Sequence, residues 1–333
     1  MSSESTSRSG MVPIGRRVRA YVAPVDRTKE QPAIFDPAKN AYFPLDAPPS
    51  PWIDVGWIEN FQRTSTSELD ELHTGPQGGV SVQYRRSLGA VVELDFCDVG
   101  KLQMAFSAGT QHMNVLASEP NSEDEPMGGS AYPAVAVLRG STDQEIIVGP
   151  GVVDSFEIGD LVAVDIDYQQ QIGYVGTGIA GSYVNDPDEV FRDADYIRRV
   201  TFNVGRVKEK TATSLVLCQR MPGGAPAPAS SAQKVLGFVD REGGNFLQEW
   251  SALFVAGEES GGRICFYYPR LRPGARAGST GKAQPESQHV LAGKLTRVAL
   301  HASFLAVPVQ DGTDSEQVVC YRSYFPARFS PMY

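Results

Sequence analysis

The sequence predicts a mostly-β protein: a rolled β-sheet or β-sandwich core with one short helix, carrying an inserted small β-barrel or β-sandwich domain. Three observations predict it. Glycine (33) and proline (23) punctuate the chain densely, phenylalanine (15) and tyrosine (13) far outnumber tryptophan (3), and short alternating apolar runs recur between the turn signals. β-Branched and aromatic residues suit a pleated, half-buried surface, while Gly and Pro mark where strands stop. At 333 residues, 41% apolar and 21% charged, the chain can build one large or two ordinary cores and is too apolar to be disordered.

The elements follow in order. Residues 1–50 are Ser-rich, then Pro-rich ("APPSP", Ala47 to Pro51), and read as an extended arm with little regular structure. From Trp52, "WIDVGWIENFQ" sets Ile53, Val55 and Trp57 against Asp54, Gly56 and Ile58, the period of a strand. "HTGPQGG" (His73 to Gly79) is dense turn signal. "VSVQYRRSLGAVVELDF" then reads as a second strand pair, with Val80, Val82 and Tyr84 alternating, and Val92, Leu94 and Phe96 alternating after Leu88-Gly89. The helix expectation is "DVGKLQMAFSAGTQ": Asp98 can cap it, Leu102, Ala105 and Phe106 fall on one face, and Gly109 can stop it.

Two polar linkers follow, "ASEPNSEDEPMGGS" (Ala117 to Ser130) and "RMPGGAPAPASSAQ" (Arg220 to Gln233). The short strand patterns between them ("YPAVAVLRG", "DQEIIVGPG", "FEIGDLVAVDIDY", "QIGYVGTGI", "YIRRVTFNVGRV", "SLVLCQ") predict a small β domain over 131–225, inserted into a discontinuous host of 51–117 and 234–333. The host resumes with "QKVLGFV", "GRICFYYPRL", "KLTRVALHASFLAVPV" and "EQVVCYRSYF", all strand-like, around a long polar loop from Pro273 to Gln288.

Composition excludes several classes. The net charge of −9 argues against tight nucleic-acid binding, which needs a surplus of Lys and Arg on the phosphates. The four cysteines, Cys97, Cys218, Cys265 and Cys320, are widely spaced, which fits buried thiols in a reducing compartment better than disulfides or a zinc site. "MSSESTSRSG" lacks the apolar core of a secretory signal, and no apolar run approaches a membrane span. Gly176 to Gly181 match G-x-G-x-x-G, but "SYVNDPDEV" after them carries no helical period to receive a pyrophosphate, so no cofactor is expected. His73, His112, His289 and His301 are mutually isolated, without HExxH, G-x-S-x-G or a Cys beside a His. No catalytic, cofactor-binding or metal residue is assigned.

"VDREGGNFLQEWSALFV" (Val239 to Val255) is read as a hairpin, with a turn at "DREGG" and a strand whose two faces are both half apolar. A strand covered on both sides, by its own core and by a neighbouring subunit, gives that pattern. Asp240, Arg241, Glu242, Glu249 and Trp250 are therefore expected at an intersubunit interface, beside two other readings of the charges: a solvated hairpin tip, or catalytic carboxylates.

The stretches "WIDVGWIENFQR", "HTGPQGG", "QYRRSLGAVVELDF", "GKLQMAFSAGTQHMNVL", "VDREGGNFLQEWSALFV", "RICFYYPRLRP" and "ASFLAVPV…GTDSEQVVCYRSYFPA" resemble the major tail tube proteins of tailed bacteriophages, over about 50–117 and 234–330. That resemblance implies rings of six copies whose inner strands join into one barrel around a channel, stacked into a tube in the virion after assembly in the bacterial cytoplasm. It implies as partners the chain's own copies, a tape measure protein, tail terminator and baseplate or tip proteins, and DNA that passes through the lumen without tight binding. A sheath is compatible, although an outer inserted domain fits a sheathless tail better. The inner sheet is expected from Val80–Phe96 and Gln233–Val255, with a polar lumen in which carboxylates at least balance Lys and Arg. The inner tube of a contractile injection device carrying effectors, a hydrolase on a β scaffold, and a carbohydrate-binding protein are the alternatives.

Overall fold

The computed structural model describes residues 18–25, 31–74, 79–108, 111–117, 132–164, 204–221, 224–226, 230–241, 249–257, 261–273 and 300–327. It is mostly β, and the chain divides into two compact units: 1–23, 32–99 and 249–333 form the first, 24–31 and 100–248 the second.

The first unit holds β1 (Val18–Pro24), α1 (Pro37–Asn40), β2 (Ile53–Thr74), β3 (Gly79–Phe96), β11 (Trp250–Gly257), β12 (Arg263–Pro273), β13 (Leu300–Ala306), β14 (Val309–Gln310), β15 (Gln317–Val318) and β16 (Tyr321–Phe325). Its main sheet runs β11-β1-β2-β3-β13-β12-β16, and β11 also pairs β12, so the strands from β11 round to β12 close into a barrel with β16 appended. Closure removes the exposed edges an open sheet would leave. Phe61 of β2 reaches Phe254 of β11 at 4.9 Å between ring centroids, although β1 lies between those strands. Phe254, Phe266 and Tyr268 therefore point into the barrel, and Leu253, Val255, Cys265 and Tyr267 point out, as the alternation of a strand requires.

The outward side is not left to water. Residues 32–52 lie over it as a strap, burying Phe35, Phe43 and Trp52 against Tyr21, Ala23, Leu253, Val255, Cys265 and Tyr267. Edge-on ring contacts knit the cluster, Tyr21 to Phe43 at 5.2 Å and Trp52 to Tyr267 at 6.0 Å. Barrel side chains hold the strap's backbone: Tyr21 Oη donates to the Leu45 carbonyl (2.8 Å), Tyr267 Oη to the Ala33 carbonyl (2.9 Å) and Arg263 Nη1 to the Phe43 carbonyl (2.6 Å). These bonds satisfy the main chain of a segment that has almost no secondary structure of its own. Burial pushes both tyrosine hydroxyls above their ordinary range. It also pushes the Cys265 thiol up to about 12. A thiol reagent applied at pH 8 should therefore label the exposed Cys218 quickly and reach Cys265 only on unfolding. Rapid native-state labelling of Cys265, read by peptide mass mapping, would contradict this packing.

Gly56 explains how β1 joins β2. Ala20 pairs Gly56 and Tyr21 pairs Asp54, so Val55 is an extra residue in a bulge. Gly56 has φ +93, a backbone conformation that side-chain-bearing residues rarely adopt, and a Cβ there would also make the Asp98 carboxylate, 2.7 Å away, move aside.

The second unit holds α2 (Lys101–Ala108), β4 (Gln111–Leu116), β5 (Val135–Ala136), β6 (Glu145–Ile147), a 3-10 turn (Val153–Ser155), β7 (Leu161–Val164), β8 (Val204–Lys210), β9 (Ser214–Leu217) and β10 (Ser231–Arg241). Its sheet runs β4-β10-β7-β8-β9-β6, with β5 on β10. Ile146, Val148, Phe156, Val162, Val164, Val207, Leu215, Leu217 and Ala232 are the heart of a core of its own. Lys210 Nζ donates to the Phe156 carbonyl at 2.6 Å and Lys234 pairs Asp160 at 2.9 Å, which pins the loop before β7 onto the sheet. The segment Gly100–Gln248, expressed alone, is expected to give a β-type circular dichroism spectrum and a cooperative melt. A fragment soluble only as an unfolded chain would show that this core does not stand by itself.

Four sequence expectations change here. Residues 1–50 are not all arm: Val18–Pro24 is a barrel strand and Pro37–Asn40 a helical turn, so the described residues hold two short α-helices and not one. The host expected to span 51–117 and 234–333 loses Lys101–Ala108, Gln111–Leu116 and Ser231–Arg241 to the second unit, because β10 pairs β4, β5 and β7. The unit that breaks into the barrel is therefore 100–248, wider than the expected 131–225. Finally, Val239–Val255 is not a hairpin: β10 and β11 belong to different sheets.

Candidate functional site: an exposed β-ribbon

β3 pairs β2 along its whole length, from Phe96 opposite Ile58 to Gly79 opposite Thr74. Their other partners stop early. β1 pairs β2 only over Ile53–Ile58, and β13 pairs β3 only over Ala90–Phe96. Beyond those points the two strands continue as a two-stranded ribbon, Thr64–Thr74 with Gly79–Gly89. At about 3.3 Å per residue it extends roughly 35 Å.

Most described side chains of the ribbon face water. Described residues 64–69 and 83–87 are exposed, including Leu69 at 54% and Tyr84 at 56%. Leu69 pairs Arg85 and Asp70 pairs Tyr84, so Leu69 and Tyr84 lie on opposite faces and neither face rests on a core. A lone two-stranded ribbon is marginal in water, and among the described residues its outer edges have no further ladder partner. Polarity is what lets it exist: "RTSTSELDE" (Arg63 to Glu71) is almost wholly polar. The ribbon also twists. Register shifts between Glu68 and Leu69 and between Leu72 and His73 are bulges, and Arg86 is the extra residue of the first.

Charge is divided between the strands. Glu68, Asp70 and Glu71 stand on β2; Arg85 and Arg86 stand on β3. Glu71 accepts from Gln83 Nε2 at 2.6 Å, which staples the strands together. Among the described residues, no ion pair joins Glu68 or Asp70 to Arg85 or Arg86.

The expected interface residues fall elsewhere. Asp240 and Arg241 are the last residues of β10, opposite His112 and Gln111, and not a turn. Glu242 lies outside the described residues, as do Gly176–Gly181. Glu249 and Trp250 are 5% and 1% exposed, so both are buried in their own chain and neither can meet a neighbour. Glu249 takes a hydrogen bond from Arg270 Nε on one oxygen and from Arg272 Nε at 2.7 Å on the other. Burial alone would raise its pKa, but the two guanidinium hydrogen bonds outweigh it and hold the carboxyl below its ordinary range. The two-faced apolar pattern of β11 comes from barrel and strap, both within one chain. Of the two stretches expected to line an inner sheet, Val80–Phe96 enters the ribbon only over its first half, Val80–Gly89, the rest pairing β13 in the barrel; Gln233–Val255 is split between units.

The strongest polar constellation besides Glu249 is on the barrel. His301 Nδ1 lies 2.8 Å from Asp95 Oδ1, and Asp95 Oδ2 accepts from Asn60 Nδ2 at 2.6 Å. Asn60 sits at φ 53 in the β2 bulge, where Asn is well tolerated. A His–Asp pair could orient a base, but among the described residues no Ser or Cys hydroxyl or thiol bonds to this imidazole. No group of three metal-ligating side chains occurs among them either. No helix among them is long and apolar enough to cross a membrane. No protein-family model matches the sequence, and no curated protein matches it.

Proposed function

We propose that this protein is a structural subunit that polymerises, as rings stacked into a hollow tube, in the manner of the major tail tube proteins its sequence resembles. The observation that carries the reading is the ribbon. A chain that spends residues 64–74 and 79–89 on two strands, most of whose described side chains are exposed, offers a surface for another copy to complete. The closed, strap-covered barrel supports it, because a rigid body is what a repeating assembly needs. The −9 charge supports a conduit: DNA phosphates slide past a wall that does not offer them cations. In that role the partners are further copies, a tape measure protein, and proteins that terminate the tube; the place of action is a phage virion. The same surfaces would serve an injection device that carries effector proteins.

Negative-stain microscopy and light scattering of purified protein over a rising concentration series test this. Rings or tubes of constant diameter are the expected result. A compact monomer at every concentration and salt would overturn it.

A further inference from the structure

We infer that the barrel binds one small monovalent anion, of the halide class, between the Arg63 guanidinium and the Tyr268 hydroxyl at the root of the ribbon. The inference goes beyond the assembly reading and does not rest on it.

The sheet brings these residues together. Phe61 points into the barrel, 4.9 Å from Phe254 and 5.4 Å from Phe266 between ring centroids. Arg63, two residues on, takes the same side, and it pairs Val92, which is fully buried. Thr64, the next residue, begins the ribbon. Tyr268, on β12, points into the same interior and is 0% exposed. β16 runs alongside β12. Tyr267 pairs Tyr321, so one more step of that antiparallel ladder sets Cys320 beside Tyr268, and Arg322, opposite Phe266, shares the face.

The polar groups gathered here are donors or cations. Arg63 Nε and Tyr268 Oη are both shut off from water, and neither has a hydrogen-bond partner. Burial above all, and then the Cys320 thiol, push the Tyr268 hydroxyl up, while the Arg63 guanidinium pulls it down. Both neighbours are thus close enough to act on the hydroxyl, yet neither meets it in hydrogen-bond geometry. The thiol does not serve as the counter-charge. Burial raises its pKa against the pull of Tyr268, Arg63 and Arg322, so it stays protonated at neutral pH, and its hydrogen goes to the Tyr321 carbonyl at 3.6 Å. Among the described residues no carboxylate pairs with Arg63, and the charged groups that bear on the thiol are both arginines.

This chemistry selects the ligand. Buried charges are paired and buried donors are bonded in folded proteins, because leaving either unmet costs free energy. What answers an N–H, an O–H and a positive charge together is an acceptor that is itself negative. One guanidinium balances one negative charge, whereas phosphate or sulfate would bring a second in among Phe61, Phe266 and Val92. A weakly hydrated monovalent ion gives up its water at the least cost, so chloride and bromide fit and fluoride fits poorly. Bound there, the ion ties the root of the ribbon to β12.

Tryptophan-monitored melts of the full chain test the site at neutral pH and constant ionic strength. Chloride replaces gluconate stepwise up to about 0.5 M, at a protein concentration where scattering shows one unchanging particle size. Chloride is expected to raise the midpoint by about 2–4 °C along a saturating curve. Bromide should act at lower concentration, and fluoride should not act. Tyr268→Phe removes one oxygen and Arg63→Met removes the charge, and each should lose the shift. In gluconate alone Arg63→Met should melt no lower than the parent, because it removes a charge that nothing in the chain balances. The protein's broadening of the chloride NMR line gives a second reading and should fall in the same variants. A parent midpoint indifferent to the exchange of gluconate for chloride would overturn the inference and leave water as the partner of the two donors. So would a chloride response that persists in Tyr268→Phe, since it would come from the surface. If Arg63→Met does not fold, Tyr268→Phe, the smaller change, decides.

Discussion

Cutting the ribbon back is expected to abolish assembly and leave the fold intact. Thr66 and Gly89 are cross-strand partners, so removing residues 67–88 and joining these two through Asn-Gly gives the barrel a short hairpin in place of the long one. Little stability should go with it. The described side chains between those points are mostly exposed, and surface changes of that kind usually stay within about 0.5 kcal/mol each. The shortened protein should therefore melt close to the parent, with the same tryptophan emission. All three tryptophans, Trp52, Trp57 and Trp250, lie in the barrel unit, so that signal reports on the part that was cut. Scattering should remain that of a monomer where the parent makes rings. Rings or tubes from the shortened protein would remove the ribbon from the account of assembly.

The same ribbon shows where sequence reading stops. A strand is recognised by apolar residues returning every second position against a core. "WIDVGWIENFQ" and "GAVVELDF" have that core, and both were legible as strands; so was "HTGPQGG" as a break between them. "TSTSELDE" (Thr64 to Glu71) has no buried residue, so the pattern that marks a strand is missing although its ladder to β3 is unbroken apart from bulges. Val18–Pro24 was hidden for another reason. Tyr21, Val22 and Ala23 are all buried because barrel interior and strap cover both sides, which yields a continuous apolar run among Ser- and Pro-rich flanks. The helix over Lys101–Ala108 was legible because Leu102, Ala105 and Phe106 keep its period, and Phe106 is 1% exposed.

Domain bounds were harder. Ser231–Arg241 continues towards Trp250 in sequence and looks like the first half of a hairpin with it. Its partners, Gln111–Leu116 and Leu161–Val164, lie far away along the chain, and no local pattern names them. The charges misled for a related reason. Asp240, Arg241 and Glu249 look alike as letters. What separates Glu249 is that Arg270 and Arg272, two apart on β12, project to the same side and close on it across the β11–β12 ladder. Their alternation in "PRLRP" (Pro269 to Pro273) was the one signal that could have paired them with a carboxylate.

Replacing that carboxylate gives the second large effect. Glu249 is 4% exposed at its side chain, Arg270 12% and Arg272 40%. Removing one partner of a buried ionic cluster leaves the other without compensation, at about 3–5 kcal/mol. Arg272 can turn to water, so Glu249→Ala should fall near the low end, about 3 kcal/mol. That corresponds to roughly 6–12 °C in the midpoint of the tryptophan-monitored melt. Acid should produce part of the same loss in the parent. The folded carboxyl titrates below its ordinary value of 4.5, so its contribution is complete above about pH 4.5 and disappears as the pH falls through the depressed folded value. The stability gap between the parent and Glu249→Gln should therefore be constant from neutral pH to about 5 and close below that. A gap that widened on acidification would reverse the sign and show that burial, not the two arginines, governs this carboxyl. A further variant separates specific ion pairing from plain packing. Glu249→Leu/Arg270→Met/Arg272→Met removes all three charges together and leaves none stranded, so it should recover most of what Glu249→Ala loses. If the triple variant melts as low as Glu249→Ala, the loss does not come from uncompensated arginine charge, and the cluster holds β11 to β12 in some other way.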